Sequence, residues 1–343
     1  MAPDGNDRET ISKKELTSDV RGKEDSVWYY KLKESIVETL PVGGFLRSAS
    51  LLAGATAISR GLVALVSPIL TRMYSAEDFG ILAVFSGILS ICVAAVALRY
   101  DLSIPLPEED TDAINVLFLA LSLVLITSCV IGGGFWIFRD PVSEMLGVPG
   151  FSAYVWLLPL GLLGRGGYEA LNFWAIRMKE YKVLARTRVV QGVASASTQV
   201  GFGALAFGPF GLITGKILGR TAGVSSLIML VRGAKVAWKE IKPSRMLEQM
   251  SRFRRFALIA VPGQLLNNAG LHVPALLLSV FFGPTVTGWF ALAERVLKAP
   301  VSLVGKAVQQ VYFGEASRVR EEPGKMLELF DEVSLKLFIL SIL

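Results

Sequence analysis

Apolar residues in this chain are gathered into runs of roughly 20, and at about 1.5 Å of helical rise per residue such a run crosses a hydrocarbon layer of about 30 Å. The runs fall at about 47–70, 79–98, 113–138, 152–174, 189–209, 211–231, 256–282 and 286–311, and a ninth begins near Val333. Short connectors that are charged or contain Pro and Gly separate them. With 52% hydrophobic residues in 343 and a mean hydropathy of +0.51, the chain carries more apolar surface than one soluble core needs, so the excess faces lipid. The fold class is an all-α polytopic membrane protein.

Residues 1–44 differ in kind. They are rich in Lys, Arg, Asp and Glu and hold no apolar run that could serve as a cleavable signal, which reads as a charged cytoplasmic tail. Within 28–40, Tyr29, Leu32, Ile36 and Leu40 recur at helical spacing beside Lys31, Lys33 and Glu34. That pattern suits an interfacial helix, and a loosely ordered polar tail equally well. The connectors are unequal in charge. Cations collect in the tail, in Arg177, Lys179, Lys182, Arg186 and Arg188, in the 232–255 stretch, and in Arg318, Arg320 and Lys325, whereas the other set holds little beyond Arg72 and Arg139. The positive-inside rule puts the first set in the cytoplasm, hence the N-terminus inside a cytoplasmic (inner) membrane. The net charge of +6 is then a signal of topology and not of nucleic acid.

Little in the chain offers covalent chemistry. Cys92 and Cys129 fall inside spans with no partner spacing, which implies neither a disulfide nor a metal site. One histidine, His272, and no G-x-x-x-x-G-K-[ST] phosphate loop leave too little for a catalytic dyad or an ATPase. The chain reads as a non-enzyme without cofactor or metal, driven by an ion gradient or by its substrate's own gradient. It also repeats itself. Aligning Leu70 with Leu278 places Tyr74-Ser75 on Phe282-Gly283, Gly80 on Gly288 and Ala83-Val84 on Ala291-Leu292. Six spans precede the second copy, so the copies run parallel, as two six-helix bundles related by a pseudo-twofold axis along the membrane normal. The expected organisation is a tail (1–44), a first bundle (45–232), a basic cytoplasmic connector (233–255) and an incomplete second bundle (256–343). About three further spans, roughly 80 to 110 residues, are expected beyond Leu343.

Ionisable residues at bilayer depth are costly and mark cavities or partners. Arg60 lies in the first span, Arg165 and Glu169 in the fourth, Lys216 and Arg220 in the sixth, and Glu294, Arg295 and Lys298 in the eighth. Bland readings exist for several. Lys216 can snorkel to the interface, and Arg165–Glu169 and Glu294–Lys298, spaced i,i+4, can be internal ion pairs of structural use only. Arg60 and Arg220 have no such local partner. Six cations against two carboxylates, counted from these residues, call for an anion. In the sixth span Gly211, Gly215, Gly219 and Gly223 recur every fourth residue as one smooth packing face, with Lys216 and Arg220 one turn apart on the adjacent face. A cavity-lining helix has that arrangement, as does a tightly packed one. In the seventh span Gln264, Asn267, Asn268 and His272 add hydrogen-bonding groups, and the repeat places Asn268 where Arg60 stands. Glu169 and Glu294 are the candidates for ion coupling.

Several motifs resemble those of the polysaccharide biosynthesis or O-antigen-type (Wzx-like) flippases of the multidrug/oligosaccharidyl-lipid/polysaccharide exporter superfamily. They are Ser59-Arg60 through Pro68-Ile69-Leu70-Thr71-Arg72, the turn Tyr74-Ser75-Ala76-Glu77-Asp78-Phe79-Gly80, Arg99-Tyr100-Asp101 through Ile104-Pro105-Leu106-Pro107, and the connector Trp174-Ala175-Ile176-Arg177-Met178-Lys179-Glu180-Tyr181. The long charged N-terminus and the early end depart from that pattern. The resemblance implies lipopolysaccharide-type cell-surface glycan synthesis and a lipid-linked oligosaccharide substrate, an isoprenoid diphosphate bearing sugars, flipped between leaflets by alternating access. Arg60, Arg165, Lys216, Arg220, Arg295, Lys298 and Asn268 are then its binding residues. Implied partners are membrane lipids, a polysaccharide polymerase and glycosyltransferases. Two alternatives stay open: a cation-coupled multidrug or small-molecule exporter, for which buried carboxylates in excess are expected, and a membrane-embedded glycan polymerase or glycosyltransferase, for which a large outer loop or a clustered acidic site is expected.

Overall fold

A computed structural model describes residues 42–234 and 240–318 together with Asp331 and Ser334, and the surroundings of side chains over 50–234 and 240–297. The interfacial helix at 28–40 and the ninth run near Val333 lie outside the described residues. By the density of internal contacts the chain divides into residues 1–49, of which 42–49 are described and helical, and residues 50–343. The helices are α1 (Val42–Met73), α2 (Ala76–Val96), α3 (Asp110–Ile137), α4 (Arg139–Met145), α5 (Leu157–Arg177), α6 (Tyr181–Ala204), α7 (Pro209–Thr221), α8 (Val224–Gly233), α9 (Pro243–Arg252) and α10 (Val261–Arg318). Short 3-10 turns occupy Tyr100–Ser103 and Pro149–Tyr154, and Phe256–Ala260 is wound as a π-helix. No strand occurs among the described residues. Among the described residues, four segments are long and apolar enough to cross a membrane: Ser50–Met73, Ala76–Val96, Asp110–Ile137 and Phe256–Leu297.

Local chemistry sets the boundaries. Ser75 Oγ accepts from the Asp78 N–H at 3.1 Å while the Asp78 carboxylate accepts from the Ser75 N–H at 2.8 Å, a reciprocal cap that starts α2. Pro209 begins α7, its missing N–H costing nothing in a first turn. Two expectations need correction. The pattern puts the fifth run at 189–209, but α6 begins at Tyr181, so Arg186 and Arg188 ride on its first turns and not in a connector. The turn between α5 and α6 is short because Lys179 adopts a left-handed φ of 57°, which reverses the chain at once. The sixth run does not form one helix. Gly223, at φ +87°, stops it between Thr221 and Val224, and its backbone packs on Thr187 instead of extending a glycine face. By contrast, Gly283, at φ +79°, interrupts α10 inside the connector expected between the seventh and eighth runs. Gly283 divides α10 into two arms. The first runs antiparallel to α2, with Asn268 beside Ser90 and Leu276 beside Gly87; in the second, Pro284 and Gly288 lie against Gly80 and Ala76, and Arg295 donates to the Val63 carbonyl of α1.

The bundle consequently has two distinct ends. At one, Tyr74, Gly80, Gly147, Gly203, Gly211 and Pro284 lie close together, and the Tyr74 hydroxyl donates to the Gln199 carbonyl at 2.7 Å. The other end is basic. There Arg177 pairs with Asp110 at 2.8 Å and donates to the carbonyls of Pro105, Pro107 and Glu108, which fastens α5 to the chain entering α3. The chain between α8 and α10 is fastened at this end too. Fully buried Asn115 donates to the carbonyls of Thr111 and Glu240 at 2.7 and 3.1 Å and accepts from the Lys242 N–H at 3.1 Å, and the Tyr100 hydroxyl donates to the Met250 carbonyl at 3.0 Å. Replacing Asn115 with Leu strands the Glu240 carbonyl and the Lys242 N–H, each worth about 1–3 kcal/mol if left buried and unpaired. We expect the Asn115→Leu protein in detergent to melt at lower temperature and to be cut by trypsin within 242–252 faster than the parent; equal cleavage rates would show that this docking is not needed.

Candidate functional site

Glycines decide where the charged side chains meet. A Cβ on Gly192 of α6 would stand 2.6 Å from Ser59 Oγ and 2.8 Å from Ser59 Cα on α1, and one on Gly219 of α7 would stand 2.5 Å from Ser195 Cβ on α6. With hydrogen in those places, α1, α6 and α7 approach to backbone contact. Arg60 follows Ser59, Arg220 follows Gly219, and Arg188 lies one turn before Gly192, so the three guanidinium groups are drawn together. Arg220 is within electrostatic reach of Arg165, Glu169, Arg60 and Arg188, and Lys216, one turn along α7, is within reach of Arg220, Arg165, Arg295 and Glu294. Charges predicted from separate spans thus converge on one place.

Arg60 and Arg220 are exposed and Lys216 is half-buried. Backbones in contact across α1, α6 and α7, with accessible cationic side chains between them, form the wall of a recess. Among the described residues, the side chains of Arg60, Lys216 and Arg220 form no salt bridge or hydrogen bond. Arg165 is held, with Nε 3.2 Å from Glu169 Oε1 and Nη1 donating to Ser90 Oγ at 3.4 Å. Asn268 reaches the same serine from α10, its Nδ2 donating to the Ser90 carbonyl at 2.6 Å while its Oδ1 accepts from Gln264 at 2.9 Å. Arg295 donates to the Val63 carbonyl at 3.5 Å. Glu294 is engaged, and Lys298 is helical with its side chain outside the described residues. His272 packs its Cβ opposite Gly87 and is engaged as well.

The break after α7 helps to keep Arg220 charged. Arg220 occupies the last turn of α7, where the negative end of the helix dipole favours a cation by about 0.3–1 kcal/mol. Its carbonyl accepts from Gln191 Nε2 at 3.1 Å, which satisfies one group freed by the break. Arg188 was missed as a site residue because it was read as part of a basic connector. Its Nε is buried without a hydrogen-bond partner. The spacing of Arg188, Gln191, Gly192 and Ser195, a polar and small face at helical period, was the signal that could have found it. Among the described residues, Arg60, Arg165, Arg188, Lys216, Arg220 and Arg295 come together with two carboxylates, Glu169 and Glu294, which leaves the cluster with a surplus of positive charge. No group of His, Cys, Asp or Glu suited to a metal occurs among the described residues. A shallow groove lined by Ser197, Thr198, Gly201, Phe202, Leu205 and Leu218 carries no charged side chain.

Asp101, in the turn after α2, is a second kind of buried charge. It is 2% exposed, and its Oδ1 has no hydrogen-bond partner. Burial pushes its carboxyl up to about 6, Glu169 adds to the rise, and Arg99 opposes it. A folded value above the ordinary 3.8 means that this group's contribution is complete below about pH 4 and is lost as pH rises through about 6. Asp101→Asn should therefore flatten the fall in thermal stability between these pH values and raise stability at about pH 7.5, by up to about 2–3 kcal/mol. A melting series across that range checks it, and an Asn variant that still loses stability over the same interval would assign the titration elsewhere.

The profile of a family described as "Polysaccharide biosynthesis protein" matches residues 69–341. The chain is 24% identical over 284 residues to the succinoglycan biosynthesis transport protein ExoT of Rhizobium meliloti (strain 1021), an alignment that covers 80% of this chain and 54% of that protein. The chain thus spans about half the length of the curated relative it matches. No solved structure matches.

Proposed function

The chain belongs to the polysaccharide biosynthesis protein family, and from that membership we propose that it flips an isoprenoid-diphosphate-linked oligosaccharide across the cytoplasmic membrane by alternating access. It is a multi-pass membrane protein with several apolar helices, similar to a protein named as a transporter. The observation that carries the proposal is the recess in which Arg60, Lys216 and Arg220 stand without salt-bridge partners. A diphosphate supplies the missing anion, and guanidinium groups meet phosphate oxygens through paired donors. Arg165, fixed by Glu169 and Ser90, and Asn268, fixed by Gln264, add donors already aimed; Arg295 and Lys298 extend the cationic wall. The sugars meet polar groups in the recess while the lipid tail stays in the bilayer. The protein holds and releases charge with no covalent step. An exporter of cationic drugs would need the opposite balance of carboxylates to cations.

In this reading the basic end faces the cytoplasm, the N-terminus is inside, and the second bundle completes a pseudo-twofold pair. Cysteine in place of Pro209 should react with an impermeant thiol reagent added outside cells, and cysteine in place of Lys182 or Lys242 should not; the reverse pattern inverts the orientation.

Function itself is tested by surface glycan display in a complementation assay, normalised to membrane protein level. Arg60→Ala and Arg220→Ala each remove a charge-assisted contact worth about 1.5–3 kcal/mol, Glu at either position adds repulsion and is worse, and Lys restores part of the loss. Glu variants that accumulate normally and still support full display would end the cationic-recess mechanism.

A further inference from the structure

At the end of the bundle opposite the basic one, α2 and the second arm of α10 cross with their backbones in contact. A Cβ on Gly80 would overlap the carbonyl oxygen of Pro284, and a Cβ on Gly288 would overlap the carbonyl oxygen of Ala76. The contact is reciprocal. Gly80 and Gly288 are partners in the internal repeat, and each meets the residue four before the other, so Ala76-x-x-x-Gly80 and Pro284-x-x-x-Gly288 present the same short ridge to one another. What would be struck is backbone, which cannot swing aside as the end of a flexible side chain can. Gly147, at φ +66°, reinforces the joint from the turn after α4, where a Cβ would stand 2.7 Å from the Ser279 carbonyl oxygen. Further along the same helices, Gly87 receives Leu276 and the Asn268 amide reaches the Ser90 carbonyl. These helices are therefore joined from their ends down to the residues that hold Arg165.

The joint is also built to part. No salt bridge spans it among the described residues, and glycine-to-carbonyl contacts rest on close packing and weak C–H···O attraction, with no buried charge to strand on separation. We propose that the reciprocal crossing of Gly80 and Gly288 is the outer gate of the transporter, closed here, and that this contact separates to open the cationic recess to the outside. The inference rests on the alternating-access reading above, but its test needs no cargo.

Ser90→Cys, in a chain with Cys92→Ser and Cys129→Ser, places one thiol below the crossing. An impermeant maleimide applied to intact cells should label it slowly when both glycines are native. Gly80→Val and Gly288→Val, which prevent closure, should each raise the rate about tenfold or more, as expected when a minor open state becomes the major one. Gly133→Val, at a glycine with open space around it, should leave the rate unchanged. A second pair leaves the glycines intact in case the valine variants do not accumulate. Glu77→Cys with Thr285→Cys, exposed neighbours of the crossing, should be joined by a short bismaleimide, and joining should abolish residual labelling of buried Thr287→Cys. An unchanged Ser90→Cys rate in valine variants that accumulate, or Thr287→Cys labelling that persists after joining, overturns the gate. A gate that behaves as described in a chain that moves no glycan would instead overturn only the cargo.

Discussion

Helices in lipid gain nothing by hiding apolar side chains from one another, since the surrounding tails are equally apolar; they associate by packing closely enough for dispersion and weak polar contacts to accumulate. In this chain closeness depends on hydrogen atoms standing where other residues carry a Cβ. Gly166 lets α5 settle against Val96 and Val124, Gly215 receives Gln199, Gly203 receives Tyr74, and Gly192 receives Ser59. Remove that freedom and the helices stand farther apart, and arginines from different spans no longer share a recess. Composition supplies the membrane, but small residues at particular turns supply the architecture.

Close packing creates the opposite difficulty for the charges it assembles. Cations brought together repel, and enclosure deprives them of water, so each needs support that does not cancel it. Arg165 has a carboxylate and a hydroxyl, Arg295 a carbonyl, and Arg220 the end of a helix that stops one residue later. Breaking the sixth run at Gly223 therefore has an electrostatic use, because an uninterrupted helix would place Arg220 in mid-helix, away from the negative end of the dipole. Arg60, also exposed, receives no comparable support among the described residues.

Much of this was legible in the letters, and the failures have physical reasons. The long apolar runs and the break at Gly283 could be read because Gly-Pro between two such runs has few other meanings. Deep charges could be read because apolar surroundings make each one conspicuous. Gly223 was misread: a glycine that packs and a glycine that bends carry the same letter, and the four-residue spacing with Gly211, Gly215 and Gly219 favoured packing. Arg188 was misread for the converse reason, since a run of cations near a span boundary looks like a loop until the three-residue turn at Met178–Glu180 is seen to launch a helix. Asp101 stood inside a recognised motif, but its turn is buried because the adjoining Tyr100 shares a core with Trp174 and Phe253 from distant parts of the chain, which no local pattern announces.

The docked connector has a mechanical corollary. Asn115 and Tyr100 tether the segment from Glu240 to Met250, and Phe253, 3% exposed, is anchored in the core at the same end. This stretch cannot act as slack rope between the parts of the chain that it joins. Any swing of α10 relative to α3 must be absorbed between Phe253 and Val261, where Phe256–Ala260 is wound looser than an α-helix. In the alternating-access reading these five residues are the pivot, and the length of the lever is the full first arm of α10.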